Sequence, residues 1–276
     1  MFGNNLMQNF SIRYKFFFAI TLVFISACAH LPHDKHDAPV LPEFVFKPTT
    51  QLASQVAQTL LAAKTENKKA LFVLGAQWCH DSKGLAKNFS TPQMQTILQE
   101  NYHVLFVDAG YLENGFDLVK QFNLPIYYGT PTVMIVEPSS KEIINRASMR
   151  KWLSADKVPL NEYETYFSDY AANTDKTEKV SATMQHYLDT INQFEQQQAD
   201  RLKAAYKVIG PLLAAYMQSE NKKASDEFSH KWGQVADIRF RLQDDIQTLI
   251  AQAKNNVNNG VTTPLDMPKY EVFDWE

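Results

Sequence analysis

Gly75-Ala76-Gln77-Trp78-Cys79-His80-Asp81-Ser82-Lys83 is the stretch on which the reading of this chain turns. It follows the apolar run over residues 70–74, rich in β formers and bounded by Lys69 and Gly75, which reads as a buried strand. Residues 81–88 then have helical character, so Cys79 falls where a strand turns into a helix. A cysteine there faces unpaired backbone N–H groups and the positive end of the helix dipole, both of which favour the thiolate. Thiolate is the attacking form in thiol–disulfide exchange, so this placement makes a nucleophile with its sulfur exposed at the helix start. Trp78 would cover one side of the sulfur with a flat apolar surface. The competing reading of a lone cysteine is a small buried hydrophobe.

Working outward, Leu52, Val56, Leu60 and Leu61 recur at helical spacing, so a helix begins near Thr49 or Thr50. Thr91-Pro92 marks another helix start, an N-cap with proline at the first helical position, running to about Glu100. Residues 103–107 and 132–136 read as further strands. Phe116, Leu118, Val119 and Phe122 make a short helix between them, and residues 142–144 pair beside the last strand after the turn Glu137-Pro138-Ser139-Ser140. Tyr163, Tyr166, Phe167 and Tyr170 fall on a closing helix. Strands alternating with helices predict a parallel core sheet with crossover helices and an antiparallel edge. A second signal stands 52 residues after Cys79, Gly129-Thr130-Pro131-Thr132, immediately before a strand. An X-Pro bond populates cis far more readily than other peptide bonds. A cis-Pro131 beside Cys79 would free the Thr130 backbone to pair with an extended substrate strand.

Trp78-Cys79-His80-Asp81-Ser82-Lys83 after a strand, with Gly129-Thr130-Pro131-Thr132 before another, resembles the thioredoxin superfamily, most nearly secreted bacterial thioredoxin-like lipoproteins with a Trp-Cys-His-Asp site. The resemblance covers roughly residues 50–150. It implies a thioredoxin-like central mixed sheet flanked by helices, with Cys79 as nucleophile and Pro131 as the cis-proline, and it implies no cofactor. Trp78, Thr130 and Pro131 would contact substrate. Two departures matter. Ser82 stands where thioredoxins carry a second Cys, and Val73 stands at the position of their buried carboxylate, a role that Asp81 or His80 would partly fill. The chemistry would then be monothiol: Cys79 forms a mixed disulfide, and a second thiol from the substrate or a small molecule such as glutathione resolves it. That suits isomerisation or removal of a mixed-disulfide cap.

The residues beside Cys79 keep several readings. A protonated His80 would raise the thiolate fraction; His80 is otherwise an exposed helix-start residue, or a metal ligand with Cys79, although two ligands do not make a structural zinc site. Asp81 reads as a first-turn residue favourable to the helix dipole rather than a catalytic base. Ser82 either hydrogen-bonds the thiolate or only fills space.

The N-terminal segment reads as an address. Arg13 and Lys15 precede an apolar run over residues 16–25 and the small residues Ser26 and Ala27, the pattern of a secretory signal over residues 1–27. The run is shorter than the roughly 20 residues a spanning helix needs, which weighs against a membrane anchor. Ile25-Ser26-Ala27-Cys28 also resembles a bacterial lipobox, making Cys28 the lipid-attachment site and first mature residue. Ala29 after it implies, in enterobacteria-like sorting, the outer membrane, with the domain on the periplasmic side of the cell envelope. Residues 28–49, with Pro32, Pro39, Pro42 and Pro48, read as an extended tether. His30, His33 and His36 lie in it at three-residue spacing, without a folded frame to make them a metal site.

The thioredoxin-like domain is expected over residues 50–173. Beyond it, Val180, Met184, Tyr187, Leu188, Ile191 and Phe194 begin one amphipathic stripe that Leu202, Tyr206, Ile209, Leu212, Leu213 and Tyr216 extend, with Gly210-Pro211 breaking or kinking the helix. Phe228, Trp232, Val235, Leu242, Ile246 and Leu249 make a second. They predict a long helical hairpin over residues 174–254, docked on the α/β block or on another protomer. A tail over residues 255–276 follows, with Tyr270, Phe273 and Trp275 against the surface.

The 276 residues are 45% hydrophobic and 21% charged, which excludes a disordered or polytopic membrane chain. Lys plus Arg number 27 against 30 Asp plus Glu, so there is no basic excess for nucleic acid. Two cysteines exclude a disulfide scaffold. The expected partners are protein or small-molecule thiols and disulfides, the membrane through Cys28, and an envelope protein at the hairpin. The other readings are a non-catalytic binding or scaffold module of the envelope and, more distantly, a metallochaperone.

Overall fold

The computed structural model of the chain describes residues 44–172 and 180–276. The segment expected to be a signal and lipobox, with Cys28, the histidines of the expected tether and the junction at residues 173–179 lie outside the described residues. The elements run α1 (Leu52–Thr65), β1 (Lys69–Gly75), α2 (His80–Phe89), α3 (Pro92–Asn101), β2 (Tyr102–Asp108), α4 (Phe116–Gln121), β3 (Thr132–Glu137), β4 (Glu142–Ile143), a 3-10 segment (Arg146–Lys157), α5 (Leu160–Ala172), α6 (Ala182–Gln218) and α7 (Asp226–Asn258). No helix among the described residues is long and apolar enough to cross a membrane.

The sheet order is β2-β1-β3-β4. β1 pairs parallel with β2, Phe72 opposite Leu105, and antiparallel with β3, Phe72 opposite Met134. The sheet is the mixed one that the thioredoxin resemblance implies; the parallel core read from alternation alone holds for β1 and β2 and is corrected at β3. Alternation of strands and helices does not say which end of the sheet a connection reaches, and the loop after α4 brings β3 in from the opposite end. β4 is the antiparallel edge.

Side chains alternate across this sheet, and both faces are buried, which explains why β1 reads as continuous apolar sequence. Leu71, Val73, Val133 and Ile135 face a core with Leu85, Phe89, Trp152, Tyr163 and Phe167. Phe72, Leu74, Met134 and Val136 face a second core that runs without a break into α6 and α7. Each such fully buried side chain contributes about 1.5–3 kcal/mol. The stretch nearest the domain is not free tether: Phe46 is 3% exposed and its ring stands 4.8 Å from that of Phe106, with Phe44 stacked on the same ring at 5.1 Å. Two aromatics offered to an apolar groove gain more by burial than by solvation.

The helical hairpin docks on the α/β block. Tyr206 of α6 donates to the Tyr127 carbonyl (3.2 Å), Arg146 pairs with Glu195 (2.6 Å), and Arg150 pairs with Asp244 of α7 (2.9 Å). Of the break or kink expected at Gly210-Pro211, the break does not occur. α6 continues through Pro211, because packing of its apolar face on both sides outweighs one missing backbone donor. Gly210 is required there: a Cβ would stand 2.6 Å from the Tyr111 carbonyl oxygen. Thr91 occupies the N-cap of α3, but its hydroxyl donates back to Asn88 O (2.8 Å) instead of capping. In the tail, Phe273 is buried and stacked on Trp275.

Candidate functional site

β1 ends at Gly75, and the chain turns through Ala76, Gln77 and Trp78 to place Cys79 at the N-cap of α2. The Cys79 N–H donates to Ala76 O (3.1 Å), and its carbonyl accepts the first helical bond from Lys83 N (3.1 Å). Its side chain caps nothing. The thiol instead donates to the carbonyl of Thr130 (3.2 Å), and the Thr130-Pro131 bond is cis. Two stretches 51 residues apart in sequence therefore meet at one sulfur.

Cys79 is 7% exposed and is the free cysteine among the described residues. The expectation of a fully open sulfur is corrected: it faces a cavity of about 290 Å³ rather than bulk solvent. One side of the cavity is Trp78, His80, Asp81 and Thr130; the other is α6 and α7, through Leu213, Tyr216, Trp232, Arg239 and Phe240. His80 and Phe240 are exposed, so the cavity reaches the surface there. Trp78 is half-buried and pinned by its indole N–H to Gly110 O (2.7 Å). Thr130 and Pro131 are buried. With the Thr130 carbonyl taken by the thiol and α7 above it, Thr130 presents no open backbone edge.

Ser82 is fully buried, and its hydroxyl accepts from Ala76 N (3.3 Å). His80 turns away from the sulfur. Its Nε2 lies 3.1 Å from Asp81 Oδ2 and 3.6 Å from Asp156 Oδ2. These three residues could offer a metal one ligand atom each within 4.8 Å of one another; Cys79 is not among them. Asp81 Oδ1 accepts from the Asp156 N–H (3.2 Å). Burial, then the hydrogen bond shared with the Asp156 carboxylate, pushes Asp81 up to about 6. The same bond holds Asp156 below the usual carboxylate range. Below about pH 6 the pair thus keeps one proton, on Asp81, against the cavity.

That proton has a stability consequence. The folded-state value for Asp81 lies above the ordinary 3.8, so its contribution is complete below about pH 4 and is lost as pH rises through about 6. Asp81→Asn should therefore be more stable than the parent at about pH 7, by on the order of 2 kcal/mol, and should lose most of that advantage only as pH falls to about 4. Thermal unfolding in a His80→Gln background, where the imidazole does not titrate, measures the gap. A gap that stays constant over this range refutes the assignment.

Sequence reasoning missed Asp156, Trp232 and Arg239. Asp156 sits in the 3-10 segment, which has no periodicity to read. Arg239 did leave a signal, a charged residue four positions after Val235 and three before Leu242 on a stripe that should face a core.

A parallel β1–β2 pair, an antiparallel β3 and a helix-start cysteine set against a cis-proline loop agree with one further finding: the thioredoxin-like family model matches residues 51–138. The α/β block belongs to the thioredoxin superfamily. Outside it, the helical hairpin is an addition to the thioredoxin-like fold. The disulphide isomerase from Xylella fastidiosa Temecula1 is similar in structure, at 22% identity and a TM-score of 0.41, over 48% of this chain and 98% of its own. No curated protein matches the chain.

Proposed function

We propose that the chain is a lipid-tethered, extracytoplasmic thioredoxin-like protein that carries out monothiol thiol–disulfide exchange through Cys79. The observation that carries this reading is the sulfur at the start of α2, lining a surface-connected cavity and set 3.2 Å from the carbonyl that precedes the cis-proline. The Cys79 thiolate attacks one sulfur of a disulfide, forms a mixed disulfide and expels the other half as a thiolate. The proton that leaves the Cys79 thiol passes to the expelled sulfur, with Asp81, which lines the same cavity, as the adjacent carrier. A second thiolate then attacks the mixed disulfide and returns Cys79. One S–S bond breaks and one forms in each step, so no external oxidant or reductant is consumed. The tether through Cys28 and the outer-membrane location are supported by the lipobox-like Ile25-Ser26-Ala27-Cys28-Ala29.

A non-catalytic binding module is the second reading. It is favoured by the burial of Thr130 beneath the hairpin and by Ser82 in place of a resolving thiol. Intact-mass analysis after incubation with a small disulfide separates the two. Exchange predicts a single adduct on the parent protein, absent in Cys79→Ser and released by added thiol. An unmodified parent protein under conditions that modify a free thiol would establish the binding module.

A further inference from the structure

Arg239 is the one buried residue at the cavity whose chemistry exchange at Cys79 leaves unused. It lies on α7, is 6% exposed and lines the same cavity as Cys79. Its Nε donates to the Tyr128 carbonyl (3.1 Å). Two residues further along that loop is Thr130, whose carbonyl accepts from Cys79. Gly129 between them makes room: a Cβ there would stand 3.3 Å from Arg239 Nη2. The guanidinium lies over the Trp232 ring, 4.3 Å from its centroid, which fixes its plane.

What Arg239 lacks is a counter-charge. No carboxylate among the described residues pairs with it, and Nη1 is buried without a hydrogen-bond partner. Tyr206 lies close by, but burial pushes its hydroxyl up to about 12, so it is neutral and cannot balance the guanidinium. A buried cation without a counter-charge is destabilising. Proteins keep such a group where a ligand supplies the missing charge. Nε is taken by the Tyr128 carbonyl and the guanidinium also hydrogen-bonds the Tyr206 hydroxyl, so the donor left without a partner is Nη1, which matches one oxygen of a carboxylate in a charge-assisted hydrogen bond. The rest of the cavity wall is apolar and aromatic, through Leu213, Tyr216, Phe228 and Phe240. Apolar walls with one fixed charged group are the usual build of a small-molecule site.

We propose that the cavity between Cys79 and α7 binds small disulfides that carry a carboxylate, with Arg239 as the group that recognises the carboxylate. The inference rests on exchange at Cys79 for its chemistry, and it makes the hairpin the specificity element of the site. The reaction is unchanged: Cys79 sulfur displaces one thiolate from the disulfide, and the half that stays attached keeps its carboxylate on Arg239 until an incoming thiolate releases it.

A matched pair of probes tests this, 3,3′-dithiodipropionic acid and its diamide, which differ in charge and hardly in size. The parent protein should form its Cys79 adduct with the diacid at least about tenfold faster than with the diamide, after each rate is normalised to the same probe's reaction with a free thiol. Arg239→Gln should remove that preference, and Arg239→Lys should restore part of it. Binding is read separately in Cys79→Ser by tryptophan fluorescence, where the diacid should saturate and the diamide should not. Equal normalised rates and no saturation by the diacid overturn the carboxylate site while leaving exchange standing. Saturable diacid binding without any adduct leaves the site standing and overturns exchange. Should Arg239→Gln fail to fold, the two probes on the parent protein still decide.

Discussion

Replacing Ser82 by Cys should shorten the life of the Cys79 mixed disulfide by on the order of 10³-fold or more, because an intramolecular thiol has an effective concentration far above any added one. The geometry makes the substitution local. Ser82 lies three residues after Cys79 on the first turn of α2, fully buried, with its hydroxyl on the Ala76 N–H. The space beside the hydroxyl is tight, since a Cβ on Gly75 would lie 2.7 Å from the Ser82 Oγ and 2.5 Å from the Phe46 ring, so the larger sulfur fits only because residue 75 is glycine and the Phe46 ring gives slightly. The new thiolate would attack Cys79 Sγ, expel the small thiol and leave an intramolecular disulfide. The electrons balance: the bound disulfide is reduced to two thiols and the protein dithiol is oxidised. Sulfur is a poorer acceptor than a hydroxyl oxygen, so the Ala76 N–H loses its partner at about 1–3 kcal/mol. Rapid acid quench and intact mass follow the adduct. An adduct that persists at the parent rate would mean that the two side chains do not reach each other, and the monothiol account would lose its physical basis, since Ser82 would no longer be what withholds resolution.

The parts of this site that were legible in the sequence are those encoded within a few residues. β1 is a short apolar run between Lys69 and Gly75, α2 starts at the next polar turn, and Thr130-Pro131 announces itself because few dipeptides sit cis before a strand. The direction of β3 was not legible, since it depends on the end of the sheet to which a loop returns. Asp81 and Asp156 lie 75 residues apart, and Arg239 and Tyr128 lie 111 apart. Pairings over such distances are decided by how α6 and α7 lie on the block, and hydropathy shows only that those helices have an apolar face to place. Pro211 misled for the same reason. Local propensity marks it as a break or kink, and what overrules the break is the packing of the apolar face of α6 on elements distant in sequence. The 3-10 segment Arg146–Lys157 was silent because it has no regular period, yet it carries the fully buried Trp152 and the Asp156 that shares a proton with Asp81.

If the hairpin is the roof of the site, loosening it should change both stability and access to the sulfur, and two glycines give opposite signs. Both are helical, and helix propensity alone favours alanine over glycine by about 1 kcal/mol. Gly233 on α7 is exposed and has nothing within 4 Å of an added Cβ, so Gly233→Ala should stabilise by roughly that amount. At Gly210 on α6 the Cβ would stand 2.6 Å from the Tyr111 carbonyl, and the loop bearing that carbonyl cannot simply retreat. Ala109 N–H is bonded to Gly75 O (2.8 Å) at the end of β1, and Gly110 O takes the Trp78 indole N–H. Gly210→Ala should therefore destabilise despite its better propensity, and Gly210→Val should do so by about 3 kcal/mol, near the upper end for overpacking. Strain at Tyr111 passes through Gly110 to Trp78, beside the sulfur. Alkylation of Cys79 by iodoacetamide should accordingly quicken severalfold in Gly210→Val and stay at the parent rate in Gly233→Ala. A Gly210→Ala protein more stable than its parent, with unchanged alkylation, would mean that α6 does not press on the Tyr111 loop, and the cavity wall would then have to be held by α7 alone.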